Sequence, residues 1–304
     1  MSVVDKLVKL IRETSSSLPP DVLKALKSAL RRERKGSSAA VVLKTILDNC
    51  AIAAKRGTPL CQDTGTLTFF VDERLRRKIT PSVIGKAVAI ATEKGYLRKN
   101  TIDSVTGRSY DDNCALGAPV IHYVGSDSVA LGSAESGSSK SKDALRPKVT
   151  LILKGGGSEN MSRQYSLPDA ALGAGRDLEG MRKCILDAVQ KIQGYGCAPG
   201  ILGVCVGGDR ATGYEVAKEQ LLRPLDEVEK LRSCEVEKNS TSQLLNLEKR
   251  LLKEANGLGI GPMGLGGKTT LLGVKIAARP RVPASFFVTI AYMCWACRRR
   301  SIAL

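Results

Sequence analysis

Cys61 stands in the stretch Pro59-Leu60-Cys61-Gln62-Asp63-Thr64-Gly65, immediately before the apolar run Thr66 to Val71. A thiolate placed where a loop feeds a strand can face a ligand, and Gln62 and Asp63 set an amide and a carboxylate beside it. Cys197 in Gly196-Cys197-Ala198-Pro199-Gly200 and Cys294 in Tyr292-Met293-Cys294-Trp295-Ala296 occupy comparable settings. Only a tertiary fold could gather the three. If it does, three thiolates without a fourth leave one coordination position open, as a catalytic metal centre requires. Taken singly, each reads more readily as an inert buried thiol. Cys50, Cys114, Cys184, Cys205 and Cys234 fall in apolar stripes, strands or plain polar segments, and keep that inert reading. The Cys294-x-x-Cys297 spacing lacks the preceding context of a thioredoxin-like redox motif.

Two glycine-rich stretches add possible binding surfaces. Lys154-Gly155-Gly156-Gly157-Ser158-Glu159-Asn160 follows a strand-like run, and successive backbone N–H groups there could cradle a carboxylate, a phosphate or cluster sulfides. Gly261-Pro262-Met263-Gly264-Leu265-Gly266-Gly267-Lys268-Thr269 invites comparison with a phosphate-binding P-loop. The spacing refuses it: the first glycine of that pattern should stand at 262, which is Pro262, and no strand precedes. The stretch reads instead as an anion-binding or close-packing loop.

The elements that must position these residues alternate in type. Three apolar stripes fill a helical N-terminal segment over about 1–57, punctuated at Pro19-Pro20 and Gly36-Ser37-Ser38. Strands are predicted at Leu67–Val71, Pro119–Val124, Val149–Leu153, Ile201–Val206, Leu271–Ile276 and Phe286–Tyr292. Helices are predicted at Pro81–Lys94, at Asp177–Ile192 stopping at Gly194, from Asp209 to before Pro224, and at Ser242–Ala255 capped by Ser242. The pattern is that of an α/β protein with a mixed sheet flanked by helices, its strand order open. A Ser/Gly-rich tract at about 125–147 reads as a mobile insertion in a single domain spanning 1–304.

Composition narrows the function classes. An apolar share of 43% with 25% charge is that of a globular protein, and no run of eighteen apolar residues could span a bilayer. Nine cysteines without a secretory signal predict reduced thiols in a cytoplasmic protein, and the single histidine, His122, reads as structural. The net charge of +17 calls for an acidic partner, an anionic substrate or nucleic acid. Nucleic acid is disfavoured, because the basic residues are scattered and aromatics are only 4%.

Cys61-Gln62-Asp63-Thr64-Gly65, Lys154 to Asn160, Gly207-Gly208, Asn256 to Thr270 and Cys294-Trp295-Ala296 together resemble the class I fumarate hydratase and L-tartrate dehydratase family. The likeness is closer to the family's separate alpha subunit and runs from about residue 40 onward. It implies a [4Fe-4S] cluster bound by Cys61, Cys197 and Cys294, whose remaining iron holds a dicarboxylate substrate and acts as a Lewis acid on the hydroxide leaving group. It also implies that Asp63 is catalytic in proton transfer and that Gln62 touches substrate. Arg98 would bind a carboxylate through its guanidinium fork, and Gly155, Gly156 and Gly157 would line the site. The implied reaction interconverts fumarate and L-malate; tartrate dehydration and a non-catalytic iron-sulfur scaffold are the alternatives. Two features depart from the family pattern. Val282 stands before Pro283-Ala284-Ser285 where members often carry a histidine, and the sequence given reaches Leu304 without the second domain of fused members. A separate beta subunit is therefore expected, in an α2β2 assembly, and an acidic one would offset the charge.

Overall fold

The computed structural model describes residues 1–126, 128, 130, 146–226 and 238–304, the side chains of 238–241 excepted. Most of the Ser/Gly tract and Cys234 lie outside the described residues. In chain order the elements are α1 (Val3–Ser16), α2 (Pro20–Arg32), α3 (Ser38–Arg56), β1 (Thr66–Asp72), α4 (Pro81–Glu93), β2 (Thr101–Ile102), β3 (Ser109–Tyr110), β4 (Val120–Val124), β5 (Lys148–Lys154) and α5 (Gly156–Asn160). They continue with β6 (Arg163–Ser166), α6 (Leu178–Ile192), β7 (Gly200–Gly207), α7 (Arg210–Gln220), α8 (Lys238–Gly257), β8 (Leu271–Arg279), β9 (Phe287–Met293) and β10 (Arg298–Ala303). Local chemistry sets several boundaries. Ser2 and Asp5 close a capping box on α1, and Thr80 with Pro81 starts α4, which gives way at Gly95 with φ +71°. Asp209 caps α7 by accepting the N–H groups of Ala211 and Thr212.

The chain forms two compact units. The first takes residues 1–20, 46–156 and 296–304, and its sheet runs β10-β5-β1-β4. β1 pairs in parallel with β4 and antiparallel with β5, while β10 adds antiparallel to the far side of β5. Its core joins Leu7, Leu10 and Ile11 of α1 and Ile84 and Val88 of α4 to Phe69, Val71, Leu151 and Leu153 of the sheet. His122 stacks on Phe70, its register partner across β1 and β4, with ring centroids 5.1 Å apart. The structural reading of this histidine fits that placement.

The second unit takes residues 21–45 and 157–295, and its sheet runs β6-β9-β7-β8 with β7 and β8 parallel. Leu202, Val204 and Val206 of β7 face α6 and α8, whose Ile185, Val189, Leu247 and Leu251 fill the same core. Strand alternation turns Gly203 to the opposite face, where a side chain would strike the carbonyl of Ala217 in α7. α7 can therefore lie close on the strand.

The α/β class with mixed sheets stands, but several details differ from expectation. There are two four-stranded sheets and the short β2-β3 pair. The basic stretch Arg298-Arg299-Arg300 is the start of β10, a strand paired with β5 that its charge concealed. α8 begins at Lys238, so Ser242 lies inside it, and α6 is closed by Gln193 at φ +47° one residue before the expected glycine.

Buried Glu248 ties α8 to β8 through a hydrogen bond and to Arg223, beyond the end of α7, through an ion pair. Glu248 accepts the Ile276 N–H at 2.6 Å and stands 3.2 Å from the Arg223 guanidinium, with both side chains buried. Glu248→Ala would strand the guanidinium and the strand N–H, and is expected to lower unfolding stability by about 3–5 kcal/mol in urea titration.

Candidate active site

The Cys61 stretch lies in the first unit, on the loop that enters β1. Its base is fixed: the Leu60 N–H donates to the Ser15 carbonyl at 2.8 Å and the Asn49 amide donates to the Leu60 carbonyl at 3.0 Å. Cys61 and Asp63 are half-buried and Gln62 is exposed, so all three side chains remain accessible. Thr64 is buried, and its hydroxyl accepts the Arg98 N–H at 2.9 Å. That bond holds the Arg98 backbone beside this loop, with the arginine itself exposed.

Close backbone approach makes this corner possible. Gly65 has φ +76°, and a Cβ there would lie 2.7 Å from the Gly155 nitrogen and closer still to the Lys154 carbonyl. A Cβ on Gly155 would lie 2.8 Å from an Asp63 carboxylate oxygen. The Asp63 carboxylate thus occupies space that exists because residue 155 has no side chain. From below, buried Arg298 donates to the Asp63 carbonyl at 2.8 Å, while its Nε has no hydrogen-bond partner among the described residues.

Cys197 and Cys294 lie in the second unit. β7 and β9 are antiparallel, with Ile201 opposite Met293, so the loop entering β7 and the residue leaving β9 share one end of the sheet. Cys197 is exposed and has φ +54°, and its carbonyl accepts the Trp295 N–H at 3.4 Å. Tyr292, two residues before Cys294, is only 1% exposed. A side chain on Gly196 or Gly200 would overlap the Tyr292 ring, so the two glycines that bracket Cys197 form its slot. Burial holds the Tyr292 phenol in its neutral form, with its pKa raised well above the usual range, and the charges of Cys294 and Cys197 add to the shift.

The glycine runs also have structural roles. Gly156–Asn160 is a helical turn, with Gly155 buried and Gly156 and Gly157 exposed. Its Ser158 hydroxyl accepts the Cys294 N–H at 3.2 Å, and Ser162 just beyond accepts the Tyr292 N–H at 3.3 Å. The 261–267 run packs closely. Gly264 meets Gly194 at a distance that excludes a side chain, the Met263 N–H donates to the Ala198 carbonyl at 2.9 Å, and the Lys268 N–H donates to the Glu33 carboxylate at 2.8 Å. It supports the loop that carries Cys197.

Burial sorts the cysteines. Cys50, Cys184 and Cys205 are buried, and desolvation pushes each thiol up to about 11. Cys297 is fully buried and Cys114 half-buried beside the Gly85 carbonyl. Cys61, Cys197 and Cys294 are at least partly open, as is Cys114, whose thiol burial pushes up. Among the described residues, no three His, Cys, Asp or Glu side chains gather as a metal-binding group. Val282 is exposed, in a loop whose carbonyls accept from Arg176 and Arg281. Tyr292, Ser158, Ser162 and Arg298 escaped the sequence reading; the available signal was the pair of glycines four apart around Cys197.

Strand-end loops carry these accessible thiols, one of them beside an amide and a carboxylate, in an α/β protein. The chain belongs to the Fumarate hydratase (Fumerase) family, whose sequence profile matches residues 4–303. A Geobacillus stearothermophilus protein provisionally named fumarate hydratase class I is 45% identical over 303 residues, which is 98% of this chain and 54% of the relative. The chain thus spans about half the length of that relative. A Methanocaldococcus jannaschii protein provisionally named L(+)-tartrate dehydratase subunit alpha is 33% identical, over 98% of this chain and 96% of its own length. The L(+)-tartrate dehydratase subunit alpha of Escherichia coli K12 is 26% identical, over 98% and 91%. No described helix is long and apolar enough to cross a membrane.

In metal-free, reduced protein at pH 8, alkylation followed by mass spectrometry should mark Cys61, Cys197 and Cys294 first. Cys50, Cys184 and Cys205 should react on the order of 100-fold more slowly, since a thiol at about 11 is rarely ionised there.

Proposed function

We propose that this chain is the alpha subunit of a [4Fe-4S]-dependent hydro-lyase that interconverts fumarate and L-malate together with a separate beta subunit. The observation that carries the reading is the family match along nearly the whole chain, residues 4–303, with the Cys61-Gln62-Asp63 corner kept open to a ligand. The alpha-subunit names of two relatives support the division into subunits. An α2β2 assembly with an acidic beta subunit would balance the +17 charge.

Cys61, Cys197 and Cys294 would hold the cluster. Their thiolates are soft ligands suited to iron-sulfur groups, and the buried Tyr292 hydroxyl, without a hydrogen-bond partner among the described residues, offers a donor beside two of them. When bound, the cluster supplies a Lewis-acidic iron that weakens the bond to the leaving hydroxyl. Asp63 would move the proton, its carboxylate being held against Gly155. Gln62 and Arg98, both exposed next to it, would bind the substrate carboxylates, with the backbone of Gly155, Gly156 and Gly157 along the edge. The two units would then act as one hydro-lyase domain.

L-Tartrate is the alternative substrate, favoured by the same two relatives' names. Comparing malate and tartrate turnover by the assembled pair decides between them. Turnover of either also excludes a non-catalytic scaffold, the reading that exposed Val282 would otherwise favour.

Anaerobically purified protein should carry about four iron and four sulfide per chain. Cys61→Ser, Cys197→Ser and Cys294→Ser should each lose them, and Cys297→Ser should keep them. Iron absent from the native chain, or retained in all three variants, would overturn the proposal. Asp63→Asn should keep its iron while kcat falls about 10²–10⁴-fold. Unchanged kcat would remove Asp63 from proton transfer.

A further inference from the structure

Tyr292 has a polar atom that the chain itself leaves unused. Its residue is 1% exposed, its ring fills the slot between Gly196 and Gly200, and its backbone N–H is held by Ser162. The hydroxyl at the end of that ring has no hydrogen-bond partner among the described residues. A buried O–H without an acceptor is costly enough that natural proteins rarely keep one, and this one is kept by two glycines whose missing side chains make room for it. Phenylalanine would fill the same slot without the cost.

What lies near the hydroxyl is sulfur chemistry. Cys197 directly follows Gly196, whose place for a side chain the ring takes, and Cys294 lies two residues past Tyr292 at the end of β9. A thiolate or sulfide is an anionic acceptor, and a phenol in a dry site is a directional donor to it. We propose that the Tyr292 hydroxyl is a cluster-positioning donor, hydrogen-bonded to a sulfur of the iron-sulfur group held by Cys197 and Cys294. The inference rests on the cluster reading above and deepens it. Such a bond withdraws electron density from sulfur, which favours the reduced cluster and slows loss of iron.

The test is Tyr292→Phe, which keeps the ring and removes only the oxygen. With the cluster removed, the variant should melt at the same temperature as the native chain or higher, because the lost hydroxyl had no acceptor. With the cluster loaded, iron should pass to a ferrous chelator about tenfold faster than from the native protein. The reduction potential, followed by electron paramagnetic resonance, should become more negative. 3-Fluorotyrosine at 292, a stronger donor of nearly the same size, should move the potential the other way.

A loaded Tyr292→Phe protein with native iron release and native potential would overturn the inference and leave the cluster reading intact. A lower melting temperature in the cluster-free variant would also overturn it, since the hydroxyl would then be bonded within the chain. Iron missing from native and variant protein alike would defeat the cluster reading, and the inference with it.

Discussion

The antiparallel register of β7 and β9 is the constraint from which the second unit's chemistry follows. With Ile201 opposite Met293, everything just before β7 and just after β9 must meet at one end of the sheet. Cys197 and Cys294, far apart in sequence, come to the same end of the sheet as the Tyr292 ring for that reason alone. The ring then dictates composition. Gly196 and Gly200 have no room for a side chain, and the Met263 loop, which bonds to the Ala198 carbonyl, needs Gly264 where it passes Gly194. A glycine in a strand end weakens the strand locally, so its presence at these positions marks close approach.

The first unit solves the same problem with the same geometry. β1 and β5 are antiparallel from Thr66 opposite Lys154 to Val71 opposite Val149, so the loop before β1 meets the chain leaving β5. Gly65 and Gly155 again mark the contact, and the carboxylate of Asp63 fills the space beside Gly155. β10 contributes from the other side of β5, where Arg298 lies opposite Leu153 and reaches the Asp63 carbonyl. In each unit a strand-entering loop carries the thiol, the antiparallel neighbour supplies the floor, and glycine sets the clearance. The thiol-bearing backbone is in this way fixed by sheet hydrogen bonds, with little left to loop flexibility.

What was legible in the sequence was periodicity and chemistry of type. The apolar stripes of α1 to α3, the Thr80-Pro81 start of α4 and the Asp209 cap announce themselves because local propensity and tertiary packing agree there. β10 did not, because three consecutive arginines look like solvated surface. Its first arginine is buried only through a long-range pairing with β5, and window-based reading carries no such information. Glycine content in the Gly155 to Gly157 run does not announce that a helical turn starts at Gly156 or that Ser158 holds the end of β9. The thiols were found by setting and motif, whereas Tyr292 was invisible: an aromatic in an apolar strand looks like core until its hydroxyl is seen without an acceptor.

The cysteines show how one residue type is divided by environment. Cys205 lies in the middle of β7, only a few residues along the same strand from the Cys197 loop, yet burial pushes its thiol up to about 11. It can serve as a small hydrophobe because it is hard to ionise and hard to reach. Cys197 has the opposite surroundings: exposed, at φ +54°, on a loop anchored through its neighbour's carbonyl and its own. In the proposed role Cys197 would be a soft-metal ligand, which must lose its proton when it binds and so suits an exposed loop better than a strand interior. The strand interior cannot provide that place. The strand end can, and it offers the added benefit that the sheet's hydrogen bonds fix the backbone on one side while the other stays open for a ligand.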